Sequence, residues 1–242
     1  MLGLGTSIPK VESVLDTTIP PTRSLTLDGV EDMATFTETS FPISASGEFL
    51  SIAFWALRTD NNDAAWVFGN TSTATLKRIN FATGGESLQI EGDRDGELVT
   101  GEVTASTDWN FYVINIQGND NAESTVVIYE NGSAVTIDNT NFGVNSSPIT
   151  LNVMGASGAD GSNTNEFKGL LYNVGIWNKI LDTNSIEHLN AHPNTALTGN
   201  VGGYTNSGSL IHYWRFEDVN DTVGDLQLTL VGNASFETTI PS

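Results

Sequence analysis

Short apolar runs separated by turn residues recur from residue 24 to the end of the chain. The runs are rich in Val, Ile, Thr, Phe and Trp, and Gly, Asn and Asp punctuate them at nearly the spacing of a β-sandwich. Residues 49–57 are apolar at almost every position, which predicts a strand covered on both faces. Asn131 and Gly132 predict a tight hairpin, because a type I′ turn needs positive φ at both central residues. The pattern predicts an all-β, antiparallel, two-sheet sandwich.

One short helix interrupts this pattern near residues 182–190. Asp182 is suited to the N-cap, and Leu181 and Ile186 occupy the two positions of a hydrophobic staple. The following residues, 193–208, have the composition of a loop.

The domain organisation follows from the two ends of the chain. Residues 1–22 are expected to form an extended N-terminal arm that ends at Pro20 and Pro21, since the residue before a proline favours extended backbone. Residues 23–242 then form a single domain. Residues 209–242 add C-terminal strands to it, because a segment of about 35 residues cannot easily bury a core alone.

Charge narrows the classes of partner. The chain has 29 Asp and Glu against nine Lys and Arg, a formal net charge of -20. Such a surface repels nucleic acid and anionic membranes. We favour a solvated acidic surface suited to salty surroundings, with cation binding or avoidance of like-charged neighbours as alternatives.

Cysteine content and hydropathy add further limits. The chain has no Cys, so neither disulfides nor a thiolate metal site can form. No apolar run approaches the roughly 18 residues of a membrane span, and the N-terminus lacks the pattern of a secretory signal. A soluble protein without membrane insertion is expected.

Five ordered motifs resemble the laminin-G-like jelly rolls of the concanavalin A-like lectin/glucanase superfamily. This resemblance implies a concanavalin A-like jelly roll with a short helix after the last motif. Tyr172 and Asn173 stand where that family commonly has an acidic pair, which weakens the case for a cation site at those positions. The motifs are residues 24–36 (SLTLDGVEDMATF), 49–55 (FLSIAFW), 109–112 (WNFY), 129–132 (YENG) and 167–181 (FKGLLYNVGIWNKIL).

The two ends of the chain resemble virion-associated members of this family from tailed phages. The similar segments are residues 1–5 and residues 210–218. The resemblance implies a non-catalytic structural, decoration or adhesion module on the surface of a virion, on its capsid or its tail. Its partners would be other virion proteins or copies of itself in a homo-oligomer. The arm is predicted to dock through its apolar residues Leu2, Leu4, Ile8 and Val11.

The alternative function is a carbohydrate-binding, lectin-like module that recognises cell-surface glycans, with or without calcium. Its best candidate for an exposed aromatic platform is Trp66, next to the Asp60–Asp63 loop. A partly buried strand residue is the competing interpretation of Trp66. Trp55, Trp109 and Trp177 lie in apolar strand contexts and are predicted to be core residues.

No cofactor is required by the sequence, and calcium is the cation that its oxygen-rich loops could bind. Ca²⁺ takes several oxygen ligands from carboxylates, amides and carbonyls. Oxygen-rich loops offer such groups, although exposed turns select the same residue types. The candidate ligands are Asp60, Asn62, Asp63, Asp160, Asn163 and Glu166.

A glucanase is the remote alternative, and the expectation is that the protein is not an enzyme. A retaining glycosidase needs two carboxyl groups roughly 5 Å apart. Glu91 and Glu97 come nearest to the required pattern but miss it by one residue. Asp95 and Gly96 between them predict a turn, which would place the two carboxylates on different strands.

The histidines offer weaker signals. His188 and His192 are four residues apart, like the paired ligands of a zinc-binding helix. No Glu follows His188, however, and Pro193 indicates that the helix has ended, so two surface histidines at a frayed helix end are favoured. His212 lies beside Tyr213 and Trp214 and is predicted to be packed.

Overall fold

The computed structural model describes residues 19–60, 64–70, 78–92, 97–120, 122–140, 142–143, 148–156 and 166–242. Within these residues the chain forms β-strands, one α-helix and one 3₁₀ turn (Ser207–Ser209). The helix is α1 (Thr183–Ala191). The strands are β1 (Ser24–Asp28), β2 (Met33–Phe41), β3 (Phe49–Arg58), β4 (Ala65–Gly69), β5 (Arg78–Phe81), β6 (Ser87–Glu91), β7 (Leu98–Glu102), β8 (Trp109–Gln117), β9 (Thr125–Glu130), β10 (Ser133–Ala134), β11 (Ile137–Thr140), β12 (Ile149–Met154), β13 (Lys168–Trp177), β14 (Leu210–Trp214), β15 (Thr229–Val231) and β16 (Ser235–Glu237).

The strands form two sheets of eight. The first sheet has the order β10-β9-β8-β3-β13-β1-β16, with β14 also paired to β13. The second sheet has the order β11-β7-β6-β5-β4-β12-β2-β15. Its strands pair antiparallel, as do those of the first sheet. The prediction of an antiparallel two-sheet sandwich is confirmed.

Strand β3 shows how the first sheet is covered on both faces. Ile52 and Phe54 point into the core between the two sheets. Ala53 and Trp55 point the other way, into a second apolar cluster that includes Ile186 and Leu189 of the helix. Because a fully buried aliphatic side chain is worth about 1.5–3 kcal/mol, the helix is held firmly on this face. The apolar pattern of residues 49–57 thus reflects a strand between two cores, as predicted.

The helix begins where the sequence indicates. Asp182 is the N-cap, and its Oδ1 accepts a hydrogen bond of 2.8 Å from the backbone N–H of Ser185. Ile186 and Leu189 are buried against the first sheet. Within the described ranges, no helix has the length and apolar composition that crossing a membrane requires.

The hairpin between β9 and β10 also forms as predicted. Asn131 has φ 49° and Gly132 has φ 82°, the positive values that a type I′ turn demands. At the other end of the chain, β14 joins β13, β15 joins β2 and β16 joins β1. The C-terminal strands therefore extend both sheets.

Candidate functional site

A cleft of about 710 Å³ opens beside the C-terminal end of α1. Small-molecule sites in proteins have volumes of roughly 300–1,000 Å³. The described lining includes no Asp, Glu, Lys or Arg side chain, although the protein is strongly acidic. The lining residues are Pro20, His188, Ala191, His192, Pro193, Asn194, Thr195, Ala196, Gly199, Asn200, Val201 and Ser242.

An irregularity in β13 holds one wall of this cleft. The register of β13 against β3 shifts between Tyr172 and Gly175, and Asn173 has φ 52°. Asparagine is one of the few residues that tolerate this left-handed conformation. The Nδ2 of Asn173 donates hydrogen bonds to the carbonyl oxygens of Pro193 (2.8 Å) and Thr195 (3.1 Å). Asn173 thereby ties the loop after α1 to the centre of the first sheet.

Two tyrosines anchor the same loop at other points. The Tyr172 hydroxyl lies 2.6 Å from Oδ1 of Asn194 and 2.8 Å from the carbonyl oxygen of Pro21. The Tyr204 hydroxyl donates to the carbonyl of Leu197 at 2.8 Å. Burial raises the pKa of both hydroxyls, so both stay protonated as donors. The loop is therefore fixed before any ligand arrives, which lowers the entropic cost of binding.

The two helix-end histidines face this cleft. The helix ends at Ala191 and His192 is its C-cap, which confirms that both histidines lie at the helix end. His192 is exposed as predicted, whereas His188 is half-buried. Their ring centroids are 4.5 Å apart and the ring planes are tilted by 48°. Burial lowers the pKa of His188, and the neighbouring His192 lowers it further. Both effects favour the neutral form of the His188 imidazole.

Trp66 and Glu166, which were predicted for two different sites, are neighbours joined by an isolated β-bridge. Trp66 is only 5% exposed, and the Arg78 guanidinium lies 4.4 Å from the centre of its ring. The structure contradicts the prediction of an exposed glycan platform at Trp66, because a cation on the neighbouring strand covers the ring. The competing interpretation of a buried strand residue applies instead.

The predicted calcium ligands are only partly described. Asp60 follows β3, and Glu166 is buried beside the turn that contains Glu31. Burial raises the pKa of Glu166. The hydrogen bond that its carboxylate accepts from the backbone N–H of Glu31 lowers the pKa, but the nearby carboxylates, of which Asp32 has the largest effect, raise it further. Among the described residues no three His, Asp or Glu side chains are grouped to hold a metal ion. Asn62, Asp63, Asp160 and Asn163 lie outside those residues, so the calcium site stays a prediction.

The carboxylates of the glucanase alternative lie on different strands, as predicted. Glu91 ends β6, pairs with Leu98 in the ladder and forms an ion pair with Arg78. Glu97 immediately precedes β7, and its side chain packs over Gly92. The packing is so close that a Cβ added at Gly92 would lie 2.3 Å from Oε2 of Glu97. Because neighbouring residues of a strand point to opposite faces, Glu91 and Glu97 do not face one another. They do not form the carboxylate pair of a glucanase.

The remaining predictions concern His212, the tryptophans and the arm. His212 is 8% exposed and stacks on Trp214, as predicted. Trp55 and Trp177 are core residues, whereas Trp109 is half-buried against the helix-side cluster. The docking residues Leu2, Leu4, Ile8 and Val11 lie outside the described residues.

The sandwich is similar to a solved structure over nearly its whole length. A native heptameric SAP-like pentraxin from Limulus polyphemus aligns with a TM-score of 0.59, covering 91% of this chain and 95% of that one. The chain has a jelly-roll sandwich fold. At 12% sequence identity the likeness concerns the fold alone.

A second jelly roll gives the same result. A Bacteroides ovatus protein provisionally described as carbohydrate-binding aligns with a TM-score of 0.59 and 12% identity over 91% of this chain. The alignment spans only 60% of that protein. No protein-family model and no curated protein matches the sequence. The function of this jelly roll must therefore be argued from its own cleft.

Proposed function

We propose that this jelly roll is a non-catalytic carbohydrate-binding module that holds a neutral glycan in the cleft beside α1. The observation that carries the proposal is a pre-formed cleft without Asp, Glu, Lys or Arg side chains in a protein of formal charge -20. An anionic ligand would meet long-range repulsion there, and a cationic ligand would find no Asp or Glu side chain among the described lining residues. A neutral polar ligand meets neither obstacle.

The lining has the two kinds of group that sugars use. Glycan hydroxyls need hydrogen-bonding side chains, and the exposed Asn194 and Asn200 supply amides. Asn200 Oδ1 accepts from the Ser207 hydroxyl at 2.7 Å, which orients the amide and leaves its NH₂ group to donate to a ligand. The apolar faces of a sugar ring can pack on the imidazole of His192 and on Val201, which is 50% exposed.

A glycan array with neutral and sialylated oligosaccharides, in calcium and in chelator, tests the proposal. We expect neutral glycans to dominate the hits. Asn200→Ala should weaken the dissociation constant of the best hit about tenfold, because about 1.4 kcal/mol of donor contact is lost. Asn119→Ala, an exposed asparagine outside the cleft lining, is the matched control and should bind as the unmodified protein does.

Two results would count against this function. An array without hits under both conditions would rule out glycan binding. Unchanged binding by Asn200→Ala would show that the glycan binds outside this cleft. Dependence of the hits on calcium would instead support the predicted cation site among Asp60, Glu166 and their neighbours.

Attachment to a phage virion through residues 1–22 stays a prediction from the sequence. Neither of the two solved neighbours is named as a virion protein. The pentraxin neighbour is heptameric, and a homo-oligomer of this chain would multiply the strength of glycan attachment by avidity.

A further inference from the structure

The spacing of the two cleft histidines fits a shared metal ion. His188 and His192 are four residues apart and lie on one side of the helix end. Two imidazoles bound to one ion with Zn–N bonds of about 2.0 Å have centroids about 4.4 Å apart at a right angle and about 5.1 Å apart at the tetrahedral angle. The observed separation of 4.5 Å lies within this interval.

The backbone around both histidines is fixed. The His188 ring packs on Gly202, which has φ 56°: a Cβ added at Gly202 would lie 2.4 Å from Cε1, 2.7 Å from Nδ1 and 3.3 Å from Nε2 of that ring. The carbonyl of His192 accepts hydrogen bonds from the N–H and the hydroxyl of Thr195, at 3.0 and 2.8 Å. The two rings therefore start from positions that need little ordering on binding.

Of the two ring nitrogens of His188, Nε2 lies farther from Gly202 and is the one better placed to bind an ion. Among the described residues, no hydrogen bond engages the imidazole of either histidine, and their one recorded ring contact is with each other. Both rings border the open cleft, which leaves room for water or another ligand on a bound ion. Borderline cations such as Zn²⁺ accept imidazole nitrogen, whereas calcium prefers oxygen.

We propose that His188 and His192 form a two-histidine site for one divalent transition-metal ion, of which Zn²⁺ is the representative. The ion keeps open coordination positions that face the cleft, so water or a ligand oxygen can complete its shell. The site does not depend on the glycan function, since both imidazoles are present whether or not the cleft binds sugar.

Isothermal titration with Zn²⁺ in excess Ca²⁺ tests the site, because the calcium occupies carboxylates of the acidic surface. We expect the titration to show a high-affinity phase, called the tight phase here, with one zinc ion bound per chain. His188→Ala and His192→Ala should each weaken that phase at least tenfold, whereas Asn119→Ala, an exposed asparagine outside the cleft lining, should leave it unchanged.

Thermal unfolding gives a second readout that is independent of the acidic surface. Zinc should raise the melting temperature of the unmodified protein and of Asn119→Ala, but it should not shift that of either histidine variant from its own metal-free value. Equal zinc affinity in the histidine variants, or no tight phase in the unmodified protein, would overturn the proposal.

Discussion

Replacing Asp221 by asparagine is expected to lower the free energy of unfolding by about 2–3 kcal/mol, because hydrogen bonds to a charged group are worth about 1.5–3 kcal/mol each and buried donors are left without their acceptor. The Asp221 side chain is 1% exposed, and its Oδ2 lies 2.6 Å from Nδ1 of His212. Its Oδ1 accepts from the backbone N–H groups of Tyr213 (2.8 Å) and Gly224 (2.9 Å). The amide of asparagine has a single acceptor oxygen, so some of these buried donors lose their partner.

Urea unfolding at neutral pH measures this loss. Asp218→Asn is the matched control, because Asp218 lies in the same loop and accepts from Asn220 at an exposed position. We expect that variant to change stability by about 0.5 kcal/mol or less. Equal effects of the two substitutions would show that the buried carboxylate does not anchor the C-terminal loop.

The same carboxylate predicts a pH dependence. Burial alone would raise the pKa of Asp221, but hydrogen bonds from His212 and from the N–H groups of Tyr213, Gly224 and Val223 outweigh it and lower the pKa. Its contribution is therefore complete above the unfolded value of about 3.9 and is lost as the pH falls through the lower folded value. The stability difference between the protein and Asp221→Asn should shrink over that acidic range, and a constant difference would contradict the shift.

Replacing Asn173 by alanine should lower the free energy of unfolding by about 2–4 kcal/mol and abolish glycan binding. Two hydrogen bonds to the cleft wall disappear, each worth about 0.5–1.5 kcal/mol. The left-handed backbone conformation at φ 52° also destabilises an alanine at this position by about 1 kcal/mol. Without these bonds the loop of residues 193–195 keeps its Tyr172–Asn194 hydrogen bond but loses both hydrogen bonds from Asn173.

Two further substitutions separate the causes. Asn173→Gly removes the hydrogen bonds without the backbone strain, so its stability should exceed that of Asn173→Ala by about 1 kcal/mol. Asn173→Asp keeps the shape but cannot donate, and it should lose glycan binding as completely as alanine does. Glycan affinity that is unchanged in all three variants would show that the cleft wall is not needed.

The fold was predictable because its signals are local. Alternating and continuous apolar runs determine which faces a strand buries, and Asp182 and Asn131 report a helix start and a hairpin within a few residues. Glu91 and Glu97 could likewise be rejected as a catalytic pair, because Asp95 and Gly96 in the sequence predict a turn between them.

The cleft was not predictable because it depends on contacts between distant segments. Tyr172 and Asn173 were visible only as departures from an acidic pair, and nothing near them in sequence indicates that they hold residues 193–195. The burial of Trp66 similarly depends on Arg78 of the neighbouring strand. The spacing of His188 and His192 indicated that two imidazoles could lie close together. Nothing in the sequence indicated that residues 193–201 form a cleft beside them.

Backbone amide chemical-shift mapping with the best glycan from the array tests the central claim most directly. The account predicts that the shifted amides concentrate in residues 188–201 and at Tyr172 and Asn173 behind them. Shifts concentrated on β5, β6 and β7 of the second sheet, with residues 188–201 unaffected, would contradict it.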